Sequence, residues 1–149
     1  MRKIVFLSIT LFVAVLFLSA KDTVISGVHS GEVKVEMDNV RIVDEAQVRG
    51  NIFIEEGDLY IAVDVDIVGS VTIKKGNIFI KDTVDISGPI TVENGNFTMG
   101  NHNDLHQSLH CKNGAVKMGS NNDIQGDVYA KQLTKGPNNT IKGKIYEIK

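Results

Sequence analysis

Two consecutive segments of the chain, GSVTIKKGNIFIKDTVDIS at residues 69–87 and GPITVENGNFTMGNHNDLH at residues 88–106, repeat one pattern of apolar and polar residues. The segments are equal in length, and each contains three pairs of mainly apolar residues, with one residue between the members of each pair. Because alternate side chains of a β-strand point to the same face, each pair indicates one short strand with one buried face. The segments therefore predict three short strands in every repeat.

The same period extends through most of the chain. The first apolar residue of successive repeats recurs at a constant interval, at Val33, Ile52, Val71, Ile90, Leu109 and Val128. A coil with three strands and three corners per turn produces such a pattern, whereas successive hairpins do not. The sequence therefore predicts an all-β fold, a single-stranded β-helix solenoid of about six coils of 19 residues with three short parallel strands each. The uneven gaps between apolar positions do not fit left-handed hexapeptide helices, and they favour the right-handed form.

One inward column changes from apolar to polar residues along the chain. Its earlier members are Ala46, Val65 and Val84, and its later members are Asn103, Asn122 and Asn139. Stacked Asn side chains can hydrogen-bond to one another and to corner backbone groups, which satisfies polar atoms that the fold buries. We therefore predict an Asn ladder at one corner. The surrounding residues that permit left-handed backbone at the bend are Gly100, Gly119, Gly136, Asn121 and Asn138.

The N-terminal segment, residues 1–20, differs from the rest of the chain. Two basic residues precede an uncharged apolar run, and Ala20 stands at a suitable cleavage position. This order indicates a secretory signal peptide or, without cleavage, a membrane anchor formed by residues 4–20. Either alternative predicts an exported protein, periplasmic or secreted in the first case and anchored to the cytoplasmic membrane in the second. Residues 21–30 are predicted to form a cap or linker, and residues 31–149 the β-helix domain.

Charge and composition argue against several classes of function. Residues 21–149 carry fourteen Lys and Arg against eighteen Asp and Glu, a net charge of −4, which does not favour nucleic acid as a partner. Cys111 is the only cysteine and falls in an inward apolar column, so a buried thiol is expected rather than a nucleophile or a ligand of a His–Cys metal site. Short corners leave no substrate groove of the kind that β-helix enzymes build, and we expect no enzymatic activity.

Several features of the repeat resemble the bactofilins, a family of polymer-forming bacterial scaffold proteins. They are the short coils with paired aliphatic residues, a Gly before most first strands, and phrases such as GSNNDIQGDVYA at 119–130 and NNTIKGKIYEIK at 138–149. The resemblance covers residues 31–149 and implies a compact right-handed β-helix without a bound nucleotide. It also implies end-to-end polymerisation into filaments, with the chain itself as the main partner and membrane or cell-wall components as further partners. Bactofilins are cytoplasmic, and the predicted export signal departs from that pattern.

The two ends of a solenoid expose unpaired strand edges and the last members of its apolar columns. The residues predicted to form self-assembly ends are apolar: Val33, Val35, Val40 and Ile42 at the first end, and Ile141, Ile145 and Ile148 at the last. Residues 21–68 carry a net charge of −7 and residues 126–149 a net charge of +3, which favours head-to-tail stacking. In the alternative, terminal residues fold back as caps and the charge difference serves solubility.

A column of acidic residues is predicted on the outer surface. Asp66, Asp85, Asp104 and Asp123 recur at the interval of the repeat, and Asp64 lies just before Asp66 on the same side. Carboxylates stacked about 4.8 Å apart repel one another unless something neutralises them. Two hypotheses stay open. In the first, the column binds calcium as a cofactor. In the second, each Asp side chain caps its own corner by accepting backbone hydrogen bonds.

Three aromatic residues, Phe53, Tyr129 and Tyr146, fall in one outward column of the first strand. They are candidate contacts for a glycan, a membrane or a protein, although exposed aromatic residues also occur on sheet faces without such a role. They support an alternative function, a monomeric cell-surface or periplasmic binding module that holds a glycan or protein on a flat β-face. Calcium would stabilise that module if the acidic column binds it.

Overall fold

A computed structural model describes residues 22–149, so the predicted signal or anchor segment at residues 1–20 lies outside the described residues. The described part consists of 21 short strands. It contains no helix long and apolar enough to span a bilayer.

The strands follow one another in groups of three, and each group forms one coil. The first four coils contain Thr23–Ile25 (β1), Val28–Ser30 (β2), Val33–Met37 (β3); Val40–Ile42 (β4), Gln47–Arg49 (β5), Ile52–Glu56 (β6); Leu59–Ile61 (β7), Asp66–Val68 (β8), Val71–Lys75 (β9); and Ile78–Ile80 (β10), Asp85–Ile86 (β11), Ile90–Asn94 (β12). The last three contain Phe97–Met99 (β13), Asp104–Leu105 (β14), Leu109–Cys111 (β15); Ala115–Met118 (β16), Asp123–Ile124 (β17), Val128–Ala130 (β18); and Gln132–Lys135 (β19), Thr140–Ile141 (β20), Ile145–Glu147 (β21).

Each strand pairs in parallel with the strand three places further along the chain, which produces three sheets of seven strands. Sheet A contains β1 and every third strand after it, sheet B begins with β2, and sheet C begins with β3. The register follows the repeat, since Ile78 of β10 lies beside Leu59 on one side and Phe97 on the other. This arrangement confirms the predicted all-β solenoid with parallel strands.

The solenoid has seven coils, one more than the sequence predicts. Residues 23–30, where a cap or linker is expected, form β1 and β2, which pair with β4 and β5. The apolar pattern is weak in this first coil because Thr23, Gly27 and His29 occupy positions that are aliphatic in later coils.

The seventh coil is shorter than the coils before it. Val116 pairs with Phe97 on one side and with Leu133 on the other. The chain segment from Val116 to Leu133 is shorter than the segment from Phe97 to Val116. The parallel register continues across this shortened corner, so the last coil still closes all three sheets.

The core is a stack of inward-facing side chains that runs the length of the solenoid. Buried Val, Ile, Leu, Met and Phe side chains from all three sheets form one continuous cluster. Asn103 and Asn122 are also buried, and they are the two buried polar residues of the described part of the chain. The predicted inward columns are therefore the core of the protein.

Close packing of successive coils explains part of the glycine pattern. Gly76 has a φ of +143°, and a Cβ at this position would lie 1.9 Å from the carbonyl oxygen of Gly57. At the corner before the Asn column, the left-handed residues are Asn121 and Asn138, with φ of 58° and 59°. Gly119, which was also expected to be left-handed, is instead required by space, because its Cβ would lie 2.5 Å from the carbonyl oxygen of Gly100. Gly100 and Gly136 likewise have no positive φ.

Candidate functional site: the ends and outer columns of the solenoid

The first end, here called the head, consists of β1, β2 and β3, the edge strands of the three sheets. Ile25 and Val33 close the apolar core on this side, and Val35 packs partly against it. Val28 of β2 continues an outward column of sheet B and is 65% exposed. Because β1, β2 and β3 are the last strands of their sheets, one edge of each has no strand beside it within residues 22–149.

The last end, here called the tail, consists of β19, β20 and β21. Leu133 and Ile141 pack partly against the core. Ile145 follows Val128 in register, and its exposed fraction is 45%, whereas Val128 is completely buried. Ile148 is half-buried beyond the last strand. The tail thus presents the same apolar columns as the interior, without the next coil that would cover them.

Two residues predicted at the head do not lie there. Val40 and Ile42 belong to β4 in the second coil, and both side chains have an exposed fraction of 0%. The reason is that β1 covers them, with Thr23 beside Val40 and Ile25 beside Ile42. The other predicted end residues, Val33, Val35, Ile141, Ile145 and Ile148, lie in or next to terminal strands.

The two ends carry opposite charge. Residues 22–38 contain one Lys against four Asp and Glu, a net charge of −3, and residues 131–149 contain five Lys against one Glu, a net charge of +4. At the head, Asp22 accepts a hydrogen bond from Arg41 at 3.1 Å, and this bond lowers the pKa of the Asp22 carboxyl. The head is therefore acidic and the tail is basic.

The Asn column forms a continuous hydrogen-bonded ladder. The backbone N–H of Val84 donates to Asn103 Oδ1 at 2.8 Å, the N–H of Asn103 donates to Asn122 Oδ1 at 2.9 Å, and the N–H of Asn122 donates to Asn139 Oδ1 at 2.9 Å. The Asn122 Nδ2 group also donates to the carbonyl of Gly100 at 3.0 Å. The ladder satisfies backbone and amide groups at a buried corner.

The acidic column is continuous in sheet B, where Asp66, Asp85, Asp104 and Asp123 are neighbours in register. His106 Nε2 lies 3.0 Å from an Asp85 oxygen, and Lys142 Nζ lies 3.4 Å from Asp123. Within residues 22–149 no side-chain hydrogen bond or ion pair reaches Asp104. The hydrogen bond to Asp85 is the main reason that the pKa of His106 is raised, and the charges of Asp104 and Asp123 add to it.

Corner capping is performed by other aspartates than the predicted ones. Asp58 accepts a hydrogen bond from the backbone N–H of Asn77 at 2.7 Å, and Asp82 accepts one from that of Asn101 at 2.7 Å. Asp64 lies at a corner with a φ of 56° and accepts a hydrogen bond from the Thr83 hydroxyl. In the described part of the chain, no three His, Cys, Asp or Glu side chains converge in a way that would hold a metal ion.

The outer face of sheet C has an aromatic stack at its tail end. The rings of His110 and Tyr129 are 4.3 Å apart, and those of Tyr129 and Tyr146 are 4.5 Å apart. Loss of hydration is the main reason that the pKa of Tyr129 is raised. Phe53 lies apart from this stack, between the ammonium groups of Lys34 and Lys74. Tyr129 is covered on both faces by its neighbours, whereas Tyr146, the last ring of the stack, is covered on one face.

A second aromatic group lies on the outer face of sheet A and was not predicted. Tyr60 and Phe79 stack at 5.1 Å, and the Arg41 guanidinium lies 4.9 Å from the Tyr60 ring centre. Together with Lys81 and Asp44 they line a shallow depression of about 380 Å³. The signal was present in the sequence, because Arg41, Tyr60 and Phe79 recur at the interval of the repeat, each between the members of an apolar pair.

His102, His106 and His110, which precede Cys111 in the sequence, do not form a metal site with it within the described residues. Cys111 is buried and donates its S–H to the carbonyl of Gly95 at 3.3 Å, and burial raises the pKa of its thiol. His110 points outward and stacks on Tyr129, while His106 pairs with Asp85 in another sheet. This cysteine is a core residue with low reactivity.

Comparisons with known proteins return no match: no family model, no curated protein and no solved structure is similar to this chain.

Proposed function

We propose that this chain is a structural scaffold protein that self-assembles end to end into filaments through the ends of its β-solenoid. The observation that carries the proposal is that both ends are open. Three edge strands and the apolar columns between them reach the head and the tail without a covering element in residues 22–149. Edge strands with unpaired N–H and C=O groups are templates for pairing with another chain.

Within residues 22–149, no segment folds back over the edge strands of either end. The resemblance of the repeat to the bactofilins points to the same role. An exported or membrane-anchored location, with the membrane or cell wall as a further partner, belongs to this proposal.

Electron microscopy of the negatively stained full-length chain tests the proposal. We expect filaments of the width of one solenoid. The variant Ile145→Glu should abolish them, because the joint would bury a carboxylate among apolar side chains at a cost of several kcal/mol. Ile145 is 45% exposed in the single chain, so the variant should fold normally, as circular dichroism would show. Thr98→Glu places the same charge on the outer face of sheet A, away from both ends, and should leave the filaments intact.

Discrete rods in place of filaments, at every protein and salt concentration tried, would reject self-assembly. The second candidate function, a monomeric surface-binding module, would then be favoured. Its supporting observation is the depression on sheet A beside Tyr60 and Phe79. In that case the wild-type chain should sediment with purified cell-wall glycan, and Phe79→Ala should reduce the bound fraction.

A further inference from the structure

The ends of the solenoid differ enough to determine which end meets which. A joint between two like ends would oppose strands of antiparallel direction, and a joint between head and tail would continue the parallel pairing. Both kinds of strand pair form good hydrogen bonds, so the backbone does not choose between them. The side chains at the ends make the choice.

Charge separates the two kinds of joint. The head carries a net charge of −3 and the tail a net charge of +4. Two heads or two tails would place like charges face to face, which costs free energy, whereas a head facing a tail brings opposite charges together. We infer that, in the filament proposed above, copies join head to tail, with the sheets of one copy continuing in register into those of the next.

The register of sheet C shows which residues would meet. In this sheet Val128 lies beside Ile145, and Tyr129 lies beside Tyr146. At the head, Val33 and Lys34 occupy the same two columns. One further coil step therefore brings Val33 of a second copy beside Ile145 and covers the apolar side chain that is exposed at the tail.

Tyr146 offers a specific contact in that register. One face of its ring stacks on Tyr129, and the interplanar angle of 8° turns the other face toward the tail. Lys34 of the second copy would lie over that free face. Within its own chain the same lysine lies 6.0 Å from the ring centre of Phe53, its neighbour in this column. Such a cation–π contact would add attraction to the joint between head and tail.

An adjacent corner supplies an ion pair. The backbone N–H of Val33 donates to the carbonyl of Asn51, and that of Val128 donates to the carbonyl of Lys144. These bonds place Glu32 and Lys144 in one corner column, because each directly precedes the sheet C strand of its coil. At a head-to-tail joint Lys144 lies beside Glu32 of the second copy, with their backbones one strand spacing apart, about 4.8 Å, so that their opposite charges can pair.

Cysteine cross-linking tests this head-to-tail polarity. The inference rests on the proposed function, since it requires that the chain forms filaments. Cα atoms about 4.8 Å apart lie within the range that a disulfide spans. Full-length Glu32→Cys and Lys144→Cys variants are assembled separately and as a mixture, oxidised, and separated on a denaturing gel. We expect covalent dimers in the mixture alone, and covalent multimers from the chain that carries both changes. The wild type is the control, because Cys111 is buried.

The outcomes separate the two proposals. Dimers from either variant alone would show joints between like ends and overturn the inference, as would filaments whose mixture gives no cross-link. Neither result would affect self-assembly itself, which fails if no filaments form. As a second measure, Lys144→Glu should raise the protein concentration needed for filaments by about tenfold. Adding Glu32→Lys in the same chain should restore the wild-type concentration.

Discussion

At the scale of a residue, glycine spacing controls how closely the coils stack. Gly76 lies directly over Gly57, whose carbonyl oxygen leaves no room for a Cβ, and its left-handed φ of +143° would strain any other residue. We expect Gly76→Ala to lower the free energy of unfolding by about 3 kcal/mol, because it adds backbone strain to a steric clash. Gly27→Ala is the control, since Gly27 has a positive φ and no atom near its Cβ position, and it should cost about 1 kcal/mol. Urea denaturation measures both, and equal losses would contradict the role of coil contact.

The Asn ladder gives a second prediction for single residues. Asn122→Ala removes the acceptor of the Asn103 N–H and the donor to the Gly100 carbonyl, both at a buried corner. We expect a loss of about 3 kcal/mol in the free energy of unfolding, because buried polar groups remain unpaired. Asn113→Ala removes an exposed Asn–Asn hydrogen bond and should cost less than about 0.5 kcal/mol. A similar small loss for both variants in thermal or urea unfolding would show that the ladder is not stabilising.

At the scale of an element, the acidic column of sheet B combines repulsion with local compensation. Asp104 lies between Asp85 and Asp123 without a cation of its own in the described chain. We expect Asp104→Asn to raise the free energy of unfolding by about 0.5 kcal/mol in the absence of calcium, with a smaller gain at high salt.

Calcium binding stays a prediction of the sequence, and the same variant tests it. If the column binds calcium, the wild type should show a higher Tm in millimolar calcium, and Asp104→Asn should lose that increase. The measurement is differential scanning calorimetry with calcium and with chelator. An identical Tm under both conditions for the wild type would eliminate the calcium hypothesis.

His106 should make the stability of the same column depend on pH. Asp85 raises its folded-state pKa above the unfolded value of about 6.5. The stabilising contribution is therefore fully present below that unfolded value and is lost as the pH rises through the folded value. His106→Gln should be less stable than the wild type at about pH 5.5, and the difference should shrink at about pH 8.5. Gln is a suitable replacement because Gln125 occupies the equivalent place in the next coil. A difference independent of pH would exclude the ion pair.

At the scale of the whole molecule, stability depends on contacts between neighbouring coils. Every strand pair joins adjacent coils, so the terminal coils have one neighbour and the interior coils have two. Assembly would give each terminal coil its missing neighbour. The Tm of the wild type should therefore rise with protein concentration above the threshold for filaments, because association stabilises the folded state. The Tm of Ile145→Glu should not change with concentration, and a constant Tm for the wild type would contradict assembly.

The constant period of the repeat was sufficient to predict the strands, the inward columns and the column of Asn103, Asn122 and Asn139. A fixed period places equivalent residues of successive coils side by side, so it determines contacts within a column directly. The outward Asp column and the aromatic group around Tyr60 follow from the same period, although only the Asp column was predicted from the sequence.

Other features depended on the tertiary structure. Terminal strands have one neighbour and bury less surface, so β1 and β2 carry little apolar signal and the first coil escaped prediction. The shift of Val40 and Ile42 from the head to the interior follows from that coil. The pairing of His106 with Asp85 crosses from one column to the next, a contact that depends on side-chain direction and not on the period. Sequence periodicity thus determined which residues stack, whereas the fold decided where the stack ends and which columns touch.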